Sequence, residues 1–112
     1  MSPAAQLDSE ILESLQGVLD PEVGISIVDL GLVYTAVQHP EAIEVAVTLT
    51  TRACPLGPAI VDTIHDALAK RFPKARLDIR LVWTPVWNSD RITPRGRALL
   101  NRRFEEAPHV PL

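Results

Sequence analysis

Apolar and polar residues follow two different periods along this chain, and the switches between them mark its elements. Ile11, Leu12, Leu15, Val18 and Leu19 recur at helical spacing. Asp8 suits an N-cap, Leu7 and Leu12 take the positions of a hydrophobic staple, and Glu10 falls in the first turn, where the helix dipole favours an acid. Gly17 and then Asp20-Pro21 end this helix. Residues 20–31 form a turn-rich stretch with apolar anchors at Ile25, Ile27, Val28 and Leu30; loops of this length often carry function.

Leu32 to Gln38 is rich in β-formers, among them Val33, Tyr34, Thr35 and Val37. His39-Pro40-Glu41 reads as a turn. Ile43, Val45, Val47 and Leu49 then alternate with Glu44, Ala46, Thr48 and Thr50, which predicts a strand with one buried face and, across the short link, an antiparallel hairpin. The loop Thr50 to Pro58 leads into a second helix, with Pro58 in its first turn and a stripe of Ile60, Val61, Ile64, Ala67 and Leu68. Phe72-Pro73 stops it. A third strand runs from Arg76 to Thr84, with Leu77, Ile79, Leu81 and Trp83 on one face and Asp78, Arg80 and Val82 on the other. Thr93-Pro94 caps a last helix through Ala98, Leu99, Leu100 and Phe104, which Gly96 weakens. Residues 1–6 and the tail from Ala107 read as irregular.

The order helix, strand, strand, helix, strand, helix predicts a two-layer α+β domain. Its small three-stranded sheet, a hairpin plus one strand, is covered by amphipathic helices. One domain is expected over residues 1–112, with its core in 7–104. That length buries a real core without metal or disulfide staples. No apolar run reaches the ~20 residues of a membrane span, and Met1 to Leu7 lacks the basic and apolar regions of a secretory signal, which points to the cytoplasm. A net charge of −3 argues against generic nucleic-acid binding. The one basic cluster, Arg91, Arg95, Arg97, Arg102 and Arg103, is either a solvated helix face or a docking surface for an acidic partner.

The single cysteine, Cys54, excludes an internal disulfide and an all-cysteine zinc site, and His39, His65 and His109 match no metal motif. Cys54 sits between a strand end and a helix start, where backbone N–H groups, the helix dipole and Arg52 favour the thiolate, the form that ligates soft metals. A small buried hydrophobe is the competing reading. Thr50 and Thr51 are either hydroxyl donors to that loop or a strand end and turn. Asp20 and Asp29 either cap turns or act as ligand or base. Trp83 and Trp87 are packing residues or partner anchors. Phosphate-loop, dinucleotide, nucleophile-elbow and zinc-protease motifs are missing, and no histidine pairs recognisably with Cys54, so a hydrolase is poorly supported.

Asp20-Pro21-Glu22, Ile27-Val28-Asp29-Leu30-Gly31-Leu32-Val33, Val47-Thr48-Leu49-Thr50 with Cys54-Pro55, and Pro85-Val86-Trp87 followed by Ile92-Thr93 together resemble the metal–sulfur cluster assembly family, with its SufT-type and PaaD-type members. The resemblance implies the α+β fold of iron–sulfur assembly domains and a non-enzymatic role in maturing iron–sulfur proteins, as a transient cluster or iron carrier or as a client adaptor. It places the family's cysteine at Cys54, its acidic motif residues at Asp20 and Asp29, and its threonine at Thr50. Trp87, Arg95 and Arg97 are the expected partner contacts. Assembly proteins or client apoproteins are the expected partners, with no nucleic acid or membrane, and any cluster or iron is held loosely, through a homodimer or an external thiol. Val86 and Ala53 depart from the family's usual proline and glycine. PaaD-type proteins carry a C-terminal cysteine-rich extension that is not seen before Leu112, which favours the SufT-like role over service to a multicomponent oxygenase. A pure interaction adaptor, with Cys54 structural, is the other alternative.

Overall fold

The computed structural model describes residues 7–21, 23–49 and 57–106. Cys54, Thr50 and Glu22, the start at residues 1–6 and the tail from Ala107 lie outside the described residues, as do the side chains of Arg103 and Phe104.

Among the described residues, three α-helices and three strands follow the predicted order: α1 Ser9–Leu15, β1 Val33–Gln38, β2 Ala42–Val47, α2 Gly57–Arg71, β3 Arg76–Leu81 and α3 Pro94–Glu106. A 3₁₀ turn at Ser89–Arg91, which no periodicity announces, precedes α3. β2 is the central strand, antiparallel to β1 and parallel to β3. The parallel pair needs a crossover, and α2 supplies it.

Register sorts the side chains. Ile43, Val45 and Val47 stand beside Leu77, Ile79 and Leu81 on one face; Glu44 and Ala46 stand beside Asp78 and Arg80 on the other. α1 packs on β1 and α2, and α2 on β3. Ile11 and Leu15 of α1 meet Ile60, Ile64 and Leu68 of α2 in one buried cluster with the β2 residues. Each such side chain contributes about 1.5–3 kcal/mol on burial.

Helix α1 is shorter than its stripe suggests. Asp8 caps it as expected, its carboxylate accepting from Ile11 N–H at 3.0 Å. Val18 is buried from beyond the helix end, and Leu19 is 52% exposed. Leu7 is 42% exposed and pairs with Ala36 in an isolated parallel bridge, so it is not the buried half of a staple. β3 ends at Leu81 rather than Thr84, and β2 at Val47, although Leu49 stays buried. Thr48, expected on the polar face, is 2% exposed. Its N–H continues the β1–β2 register one pair past Val33 and Val47, donating to the Leu32 carbonyl at 2.8 Å.

Candidate functional site

Two buried residues flank the segment with Cys54, whose residues 50–56 lie outside the described ones. Leu49 anchors the chain leaving β2, and Ile60 anchors the first turns of α2. Hydrogen bonds tie Asp20, Val23, Gly24 and Ile25 of the first loop together. Asp20 N–H donates to the Ile25 carbonyl at 2.9 Å, Gly24 N–H donates to the Asp20 carbonyl at 2.7 Å, and the Asp20 carboxylate accepts from Val23 N–H at 3.3 Å. Asp20 is buried and organises its own turn in Asx fashion. Ile27 N–H reaches the Val18 carbonyl and Leu32 N–H the Ile27 carbonyl, which closes the loop on itself. A shallow cleft lined by Val18, Leu19, Pro21, Ala59, Ile60 and Thr63 joins this loop to the start of α2. The acidic loop and the helix entered by the Cys54 loop are therefore neighbours in space, a proximity that sequence spacing does not supply.

Asp29 faces the other way. It is 5% exposed, and its carboxylate Oδ1 accepts from the Thr93 hydroxyl at 3.0 Å. Its carbonyl also accepts from Thr93 N–H at 2.8 Å. Among the described residues Oδ2 has no hydrogen-bond partner, and Arg95 Nε lies 3.6 Å away. The Thr93 hydroxyl in turn accepts from Gly96 N–H at 3.0 Å, the N-cap bond of α3. The carboxylate thus holds the cap that starts the last helix.

Three further contacts bind the same segment. Trp87 donates its indole N–H to the Leu30 carbonyl at 2.7 Å, and the Tyr34 hydroxyl donates to the Pro85 carbonyl at 2.8 Å. The Arg91 guanidinium lies over the Tyr34 ring, 4.3 Å from its centroid. Gly31, with φ of 74°, passes so close under Arg91 that a Cβ would strike the Arg91 carbonyl. Trp87 is half-buried in this strap. Arg95 is 73% exposed, and Arg97 is exposed while donating to the Ser89 carbonyl at 2.7 Å. Arg91 and Arg102 are exposed as well, so the strap carries a cationic face outward.

The sequence reading misses Thr93 as a partner of Asp29. The Thr-Pro pair announces the cap, but no local pattern announces a bond to a carboxylate 64 residues away. Asp20 and Asp29 are not brought together as a pair of ligands: one closes its own turn and the other holds α3. Among the described residues no group of three or more histidine, cysteine, aspartate or glutamate side chains could hold a metal ion. No helix among them is long and apolar enough to cross a membrane.

A family model described as iron–sulfur cluster assembly protein matches residues 8–76. That span includes Asp20, Asp29, Thr50 and Cys54 and stops short of Trp87, Arg95 and Arg97. The Fe-S protein maturation auxiliary factor YitW of Bacillus subtilis is 38% identical over 95 residues, which cover 84% of this chain and 93% of the relative. The auxiliary factor SufT of Staphylococcus aureus is 40% identical over 84 residues, covering 74% and 96%. Among solved structures, a domain of unknown function from Bacillus anthracis superposes with a TM-score of 0.78 at 29% identity, covering 82% of this chain and 89% of its own.

Proposed function

The chain belongs to the iron–sulfur cluster assembly protein family, and on that premise we propose that it is a non-enzymatic maturation factor whose Cys54 takes up iron or an iron–sulfur cluster briefly and passes it on. The observation that carries this reading is the match to two maturation auxiliary factors over nearly their whole lengths.

The chemistry is ligand exchange. Cys54 gives up its proton to solvent as the thiolate binds, and takes one back when the cargo leaves. One thiolate is a poor cage for a cluster, so further ligands come from a small thiol, a second chain or the client itself. That incompleteness suits a carrier, because a closed four-ligand site would hold its cargo. In the sequence Cys54 stands three residues before α2 and two after Arg52, positions that suit a thiolate ligand.

The strap carries the partner surface in this reading. Trp87 is spent on holding it, with its N–H on Leu30, and the exposed Arg95, Arg97 and Arg102 present positive charge to an acidic patch on a client or assembly protein. A cytoplasmic setting, where thiols stay reduced, fits a factor with one functional cysteine.

The test is made in cells from which the gene has been removed. Activities of iron–sulfur enzymes per molecule of apoprotein should fall, while an enzyme without a cluster is unaffected. Wild-type chain should restore them and Cys54→Ser should not. Full restoration by Cys54→Ser would leave the adaptor role and remove the carrier role.

A further inference from the structure

Among the described residues β3 is an edge strand with one side unpaired. The N–H of Arg76 donates to the Glu41 carbonyl at 2.9 Å, and the N–H of Val82 donates to the Val47 carbonyl at 2.8 Å. Even-numbered residues thus turn their peptide groups toward β2, and strand alternation turns those of Leu77, Ile79 and Leu81 outward. The β2–β3 register runs without a shift from Arg76 to Leu81, and β3 contains no proline. Among the described residues β3 packs only on β2 and α2. Edges left this long and regular are templates for another strand.

We propose that this edge joins two copies of the chain, antiparallel, about a two-fold axis through Ile79. Charge selects the register. With Ile79 opposite its own copy, Asp78 faces Arg80 of the partner subunit, and the partner subunit's Asp78 faces Arg80. Leu77 and Leu81 exchange hydrogen bonds with the partner subunit's Leu81 and Leu77, so five consecutive residues pair. Moving the axis one residue back sets Asp78 against its own copy, and one residue forward does the same to Arg80; like charges directly opposite are unfavourable. An axis through Leu77 also sets Asp78 opposite Arg76, but it shortens the overlap and brings Arg80 against a second cation, Lys74 of the partner subunit. Asp78 and Arg80 are both exposed on the helix-free face; Arg80 already pairs with Glu44 of its own chain at 3.1 Å and lies 3.9 Å from its own Asp78, so the partner subunit's Asp78 shares this guanidinium rather than meeting a free one.

The joined sheet has six strands. Because β2 and β3 are parallel, the C-terminal ends of the two β2 strands, which feed the Cys54 loops, point to opposite ends of it. This dimer is therefore separate from any association that shares cargo between two copies of Cys54, and it stands independently of the carrier reading.

Sedimentation velocity on the full chain, from micromolar to several hundred micromolar, tests it. Wild type should show a reversible monomer–dimer equilibrium that Cys54→Ser leaves unchanged. Asp78→Arg turns both Asp–Arg contacts into like-charge contacts and should weaken association about tenfold or more. Adding Arg80→Asp to the same chain reverses both partners and should restore association to within about threefold of wild type. Far-UV circular dichroism of each variant confirms that the fold is intact. A wild-type chain that stays monomeric throughout would overturn the proposal. A dimer indifferent to the reversal, or one lost on Cys54→Ser, would do the same.

Discussion

Asp29 and Thr93 are joined twice, main chain to main chain at 2.8 Å and carboxylate to hydroxyl at 3.0 Å. The second bond orients the hydroxyl that caps α3. Thr93→Val keeps the shape and removes both side-chain bonds, leaving a buried carboxylate under-satisfied. It should cost about 1–3 kcal/mol in urea unfolding. Combined with Asp29→Asn, the two changes should couple by ~0.5 kcal/mol or more. Amide exchange in α3 should rise before that in α2. A neutral Thr93→Val with unchanged exchange would show that the strap is held elsewhere.

Gly96 gives a contrasting test in the same place. Alanine ordinarily favours a helix over glycine by about 1 kcal/mol. Here a Cβ would sit 2.5 Å from the Asp29 carbonyl oxygen and 2.8 Å from Ile92 Cγ2. Gly96→Ala should therefore lower the unfolding midpoint, whereas Gly17→Ala, with nothing within 4 Å of its Cβ, should not. Thermal melts of the two variants side by side decide it; equal midpoints would mean the α3 approach is looser than described.

Acid should loosen the fold through three surface carboxylates. The hydrogen bond from His39 holds Glu44 below the usual carboxylate range, with Arg80 adding to it; the bond from Arg71 does so for Glu10, and that from Gln38 for Asp8. In each case the unfolded chain binds the proton more readily, so stability rises with pH across the window. It is fully present above the ordinary glutamate value of 4.5 and is lost as pH falls through the lowered folded values. Glu44→Gln should flatten that acid slope in urea midpoints taken at successive pH values. An unchanged slope would remove Glu44 from the account. These groups are exposed, so the effect should also shrink in high salt.

The cationic face can be reversed without touching the core. Arg97→Glu with Arg102→Glu should leave the unfolding midpoint within about 0.5 kcal/mol of wild type, apart from the bond to Ser89, as surface changes generally do. The same pair should cut restoration of iron–sulfur enzyme activity in the deletion strain several-fold. Full restoration would place the partner surface elsewhere.

What the sequence made legible follows its periodicities. The α2 stripe from Ile60 to Leu68 and the β2 alternation from Ile43 to Val47 are strong local signals, and both face the core. The Asp8 cap and the Thr93 cap were readable for the same reason, since a cap is a contact within one turn. Leu19 and Leu7 were misplaced because a stripe does not reveal where the first loop takes the chain away. Thr48 was misplaced because alternation along β2 does not tell which side chains are covered at the end of the strand, where Thr48 is buried. The roles of Asp20 and Asp29 diverge for a similar reason: one partner is three residues away and the other 64. Long-range pairing is what spacing along a chain cannot carry.

The most direct test of the central claim is anaerobic incubation of the full chain with ferrous iron and sulfide, wild type beside Cys54→Ser, followed by visible absorption after desalting. The account predicts a coloured, chelator-labile species with wild type and none with Cys54→Ser. Equal uptake by both proteins, or a species on wild type that resists chelators, would contradict Cys54 as the transient ligand.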